Sequence, residues 1–94
     1  MTARKEYITR FKLQLDELSA SISDYEARAQ KAEADSKIFW QDRLFKLRQQ
    51  FNLTHDKFDE LKAAGEHSWG QYVAETEKMR DVFLVSFNHF KSNI

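Results

Sequence analysis

Gly65 and Gly70 are the only glycines of this 94-residue chain, and it contains no proline. Glycine and proline are the residues that most often stop a helix or turn a chain. Everything outside that short interval is built from residues a helix tolerates, which leaves little loop in which a catalytic constellation could be assembled. The expected fold class is therefore all-α. A long helix about 2–63 and a shorter helix about 68–92 form an antiparallel helical hairpin or coiled coil, which assembles into an oligomeric bundle. Residues 1–94 read as a single helical coiled-coil domain.

Apolar spacing supports this reading. Ile8, Phe11, Leu15, Leu18, Ile22, Tyr25, Ala29 and Ala32 follow one another at intervals of three and four, the seam of an amphipathic helix. Trp40, Leu44, Leu47, Phe51, Thr54, Phe58 and Leu61 make a second run, displaced by one residue in phase. Leu18, Ala29, Trp40 and Phe51 bridge the two at eleven-residue steps, a spacing that unwinds a left-handed supercoil without breaking the helix. Ala29, Ala32 and Ser36 offer little to bury at the change of phase. Two readings compete. The helix continues through Ala32–Lys37, which holds neither glycine nor proline, or it bends near residues 33–37 and gives a monomeric three-helix bundle. The continuous helix is favoured.

Length then decides what the continuous helix needs. At ~1.5 Å per residue it spans ~93 Å, against ~40 Å for the returning helix. Ile8, Phe11, Leu15, Leu18, Ile22 and Tyr25 would have no internal cover, which predicts a homo-oligomer. Phe39 and Leu53 fall off the seam, and Ile38 and Phe45 fall nearly opposite Trp40 on the helical wheel, so Ile38 and Phe45 join the expected oligomer interface. The hairpin core is read as Trp40, Leu44, Leu47, Phe51, Phe58 and Leu61 against Trp69, Tyr72, Met79, Phe83, Phe87 and Phe90. Residues 16–42 carry seven acidic and three basic side chains, and residues 43–62 five basic and three acidic. Antiparallel copies would set unlike blocks together, which favours an antiparallel dimer. Around the break, Gly65 is placed as a left-handed closing residue, and Ser68 and Gln71 as a capping box.

Other chemistries find less support. Fifteen basic residues balance fifteen acidic ones, so no net field draws nucleic acid. Without cysteine there is no disulfide, thiolate metal site or thiol nucleophile. The N-terminus has no apolar signal run, and no stretch reaches the ~20 apolar residues of a membrane span; a cytoplasmic location is expected. His55 and Asp59 share a helical face at ligand spacing, but nothing completes a metal site, and His67 and His89 lie elsewhere. Arg43, Lys46 and Arg48 beside Trp40 and Phe45 read as a solvated face, because Asp42, Asp56, Asp59 and Glu60 are interleaved with them. No cofactor, metal or enzymatic activity is expected. Val82, Phe83, Leu84, Val85, Phe87 and Phe90 could lie on a lipid surface, but the polar face there is poor in lysine and arginine.

The segments Met1–Ile8, Lys12–Glu17 and Lys31–Asp35, and above all Phe58-Asp59-Glu60-Leu61-Lys62-Ala63-Ala64-Gly65 followed by Ser68-Trp69, resemble a family of small bacterial coiled-coil proteins. The resemblance implies a helical fold with a tryptophan opening the last helix, and a loose association with stress. It implies no activity. The expected function is that of a non-enzymatic, self-associating interaction or structural protein. The alternatives are binding to a membrane surface and, as a second, helical regulation or inhibition of a larger protein.

Overall fold

The apolar runs become three helices in the computed structural model, which describes residues 3–93. They are α1 (Ala3–Gln30), α2 (Ala34–Ala63) and α3 (Glu66–Ser92). The all-α class holds, with no strand among the described residues. The expected start at Thr2 lies outside the described residues.

The continuous helix 2–63 does not hold. The chain breaks at Lys31–Glu33, just ahead of the 33–37 bend considered as the alternative, and three helices of 28, 30 and 27 residues result. The break uses neither glycine nor a left-handed residue. The amides of Lys31 and Ala32 donate to the carbonyls of Arg28 and Ala29, three residues back, at 3.1 and 3.2 Å. The end of α1 thus tightens into a 3₁₀ turn, which satisfies terminal carbonyls without a special residue. The Lys37 amide then donates to the Glu33 carbonyl at 2.7 Å and opens α2. The energetics favour this. Phe11, Leu15 and Ile22 are buried within the chain, each contributing about 1.5–3 kcal/mol relative to exposure. Uninterrupted helix through Lys31–Glu33 would add a few hydrogen bonds of about 0.5–1.5 kcal/mol each, at residues water already reaches. Burial wins, and the weak seam at Ala32 and Ser36 is where the helix gives way.

The chain divides into two compact units, Met1–Leu44 and Phe45–Ile94. The first holds α1 and the opening of α2, joined by a connection so short that the helices pack as a hairpin. The second holds the rest of α2 with α3. Its helices run antiparallel: Phe51 meets Phe83 edge to face at 5.9 Å between ring centres, and Lys57 reaches Glu75 at 2.9 Å. Thr54 and Thr76 are buried with the apolar residues of this unit. Each hydroxyl donates to the carbonyl four residues back, Gln50 at 3.0 Å and Tyr72 at 2.6 Å. Their methyl groups are thereby buried without an unsatisfied polar atom.

The connection from α2 to α3 also departs from expectation. Helix α3 begins at Glu66, two residues before the expected start. Gly65 is its N-cap, with φ −75° and ψ 170°, an extended conformation open to any residue, and no side chain caps the helix. The left-handed closure and the Ser68–Gln71 capping box are therefore both corrected. Ser68 lies inside the first turn, where its amide donates to the Gly65 carbonyl at 3.1 Å. Gln71 turns to Glu75 instead, 3.4 Å away. An N-cap glycine leaves the peptide free to turn, and Glu66 supplies the negative charge the helix start favours.

Candidate interaction surface

Helix α2 carries apolar side chains on opposite faces because two sets of them follow the helical period, half a turn apart. Leu44, Leu47, Phe51, Phe58 and Leu61 are buried. Ile38, Phe45 and Leu53 are 70%, 61% and 58% exposed. Phe39 is 48% exposed, stacked edge to face on Trp40 at 5.0 Å and covered by the Arg43 guanidinium 4.3 Å from its centre.

Of the residues expected in the hairpin core, Leu44, Leu47, Phe51, Phe58, Leu61, Phe83, Phe87 and Phe90 are buried. Trp40, Trp69, Tyr72 and Met79 are only half-buried. The expected interface divides differently. Phe11, Leu15 and Ile22 are enclosed within the chain, which corrects the premise that this seam faces water. Ile8, Leu18 and Tyr25 are half-buried, whereas Ile38 and Phe45 are exposed. Leu53 belongs with those two. Its position off the seam was visible in the sequence, but an isolated leucine gave no reason to prefer interface over core.

Charged groups on α2 are arranged around this face. Lys57 sits at its edge, 2.9 Å from Glu75 and 3.6 Å from Glu60, with its ammonium 5.2 Å from the centre of the Tyr72 ring. The hydrogen bond to Glu75 pushes the Lys57 ammonium above its ordinary pKa, with Glu60 adding to it. That same bond, helped by Gln71, holds the Glu75 carboxyl below its ordinary value. His55 Nδ1 lies 3.3 Å from Asp59 Oδ2, and Asp56 brings a third donor atom within 4.8 Å of both. All three residues are exposed. Lys62 already holds Asp59 Oδ1 at 3.1 Å, so one carboxylate of the cluster is paired with a surface cation. His67 and His89 lie on α3, away from this cluster in sequence.

Basic side chains near aromatics serve the fold. Arg48 lies 5.6 Å from the centre of the buried Phe51 ring, and Lys91 lies 4.9 Å from that of Phe87. In the stretch considered for lipid contact, Phe83, Phe87 and Phe90 are turned inward. What remains outside is Val82 and Val85, which with Ala74, Glu77, Lys78 and Asp81 line a shallow hollow along α3. No helix among the described residues is long and apolar enough to cross a membrane. Nor does any buried side-chain nitrogen or oxygen among them lack a partner, so the core presents no orphaned polar group to a ligand.

No protein-family model, curated protein or solved structure matches this chain.

Proposed function

We propose that this chain is a non-enzymatic, cytoplasmic interaction protein whose recognition surface is the outward face of α2. The observation that carries this reading is the exposure of Phe45 and Leu53 on a helix whose opposite side is buried. Single exposed apolar residues are ordinary, but these two lie about two turns apart on one helix and together offer apolar surface that association would cover. The antiparallel dimer expected from an uncovered α1 loses that support, since Phe11, Leu15 and Ile22 are already enclosed.

The test is photo-crosslinking in cells producing the full chain, with a benzophenone amino acid at Phe45 and, as a control, at Glu77 on α3. Discrete protein adducts at position 45 that are absent at 77 are expected. Equal labelling at the two positions, or none at 45, would remove the reading.

A further inference from the structure

Helix α3 also turns a row of side chains to water. Gln71, Ala74, Lys78, Asp81, Val85 and Asn88 succeed one another at intervals of three and four, and all six are exposed. They lie on one uninterrupted helix within the unit Phe45–Ile94, so the row follows from the geometry of that helix alone. Its chemistry reads nearly the same from either end. An amide, a small apolar residue and a charge lead to the centre; the opposite charge, an apolar residue and an amide lead away. At that centre the Lys78 ammonium makes no ion pair, hydrogen bond or ring contact among the described residues. Arg80 Nε and Nη2 both donate to Asp81 Oδ1, at 3.2 and 3.1 Å, which leaves the other carboxylate oxygen to accept elsewhere. Ala74, Lys78, Asp81 and Val85 all line the shallow hollow along this helix.

We propose that this row is a contact between two copies of the chain, laid antiparallel about a two-fold axis between Lys78 and Asp81. Gln71 then meets the partner's Asn88, Ala74 the partner's Val85, and Lys78 the partner's Asp81, with the same pairs repeated across the axis. This goes beyond the reading of α2 and uses a different helix. Every layer is matched in kind: amide to amide, apolar to apolar, ammonium to carboxylate. A closed two-fold contact sets one patch against itself, and such self-complementarity is what it requires. Charge decides between occupants. Laid parallel and in register, each lysine and each aspartate would meet its own counterpart, which is unfavourable. A uniformly basic or acidic helix from another protein would satisfy one central charge and repel the other. Val85 fills the depression over the partner's Ala74, while the charged layer fixes register at a cost in affinity. From Gln71 to Asn88 the contact runs ~26 Å at ~1.5 Å per residue. One helix pair with so little apolar surface makes a weak, concentration-dependent dimer.

Sedimentation equilibrium of the full chain tests this, from micromolar concentration to about 1 mM. A monomer–dimer equilibrium is expected. Lys78→Asp and Asp81→Lys should each weaken self-association at least tenfold, by setting like charges face to face. Mixing these two variants should restore a dimer containing one copy of each, since unlike charges then meet in both central pairs. Phe45→Ser, on α2, should leave the dimer unchanged. Circular dichroism establishes that each variant is folded, these positions being exposed. A chain that stays monomeric throughout, a dimer indifferent to Lys78→Asp, or a mixture that fails to associate would overturn the proposal. So would a dimer that Phe45→Ser dissolves, because the second copy would then lie on α2. In cells, a covalent dimer formed through position 77 has twice the mass of the chain. That tells it from adducts of other proteins at position 45, so the two readings fail separately.

Discussion

The two faces of α2 are made of the same residue types and do different work. Inward, Phe51, Phe58 and Leu61 are all but inaccessible. Outward, Phe45 and Leu53 remain mostly in water. Hydrophobicity alone therefore does not make a side chain part of the core; its phase relative to neighbouring helices does. The inward face contributes to stability, and the outward face is left for association.

The largest effect should come from the inward side. Phe58→Ala removes a fully enclosed ring and should cost about 3–5 kcal/mol in denaturant unfolding. A loss under 1 kcal/mol would mean the two faces are energetically alike and would break the comparison. Next is Thr54→Val, which exchanges a hydroxyl bonded only to its own helix for a buried methyl. A gain of up to about 1 kcal/mol is expected, because Gln50 keeps its place in the helix ladder. Phe45→Ser, outward, should change unfolding by no more than about 0.5 kcal/mol while reducing the adducts formed by a benzophenone amino acid placed at Leu53.

The smallest effect lies at the edge between the faces. Glu75 has a lowered carboxyl pKa in the folded chain, so its contribution is present above the unfolded value and fades as pH falls through the folded one. Lys57 is raised, so its contribution is present below the unfolded value and disappears as pH rises through the folded one. The pair thus acts between these limits. The variant Glu75→Gln should flatten the acid side of the stability profile, measured as thermal midpoint against pH, through a small loss at mid-range pH and none at low pH. An undiminished acid slope in that variant would assign the slope to other carboxylates.

Much of this arrangement is legible in the residue order. The three-and-four spacing identifies the inward row of α2 and the Phe83, Phe87 and Phe90 row of α3, since a side chain on the wrong phase cannot be enclosed. It also places Ile38 and Phe45 opposite. It does not reveal the break at Lys31–Glu33, because a 3₁₀ ending needs no particular residue and its reward lies at Phe11, Leu15 and Ile22, far along the chain. Propensity favoured continuity locally, and burial elsewhere overruled it. The half-burial of Trp40, Trp69, Tyr72 and Met79 is equally invisible to periodicity, which gives direction without depth.

The absence of left-handed backbone among the described residues also bears on how the chain can be altered. A β-carbon at Gly65 or at Gly70 would meet nothing within 4 Å. Neither glycine is a hinge the fold depends on. Gly70→Ala should raise the thermal midpoint, by the roughly 0.5–1 kcal/mol that glycine costs a helix interior. Both connections then act as tethers with little shape information of their own. Doubling the length of such a tether costs only ~0.6 kcal/mol in closure entropy. Peptide tags or reporter loops inserted at Lys31–Glu33 should therefore be carried with the helices intact, whereas the same insertion after Leu44 would part Leu47, Phe51, Phe58 and Leu61 from the helix that carries them in phase.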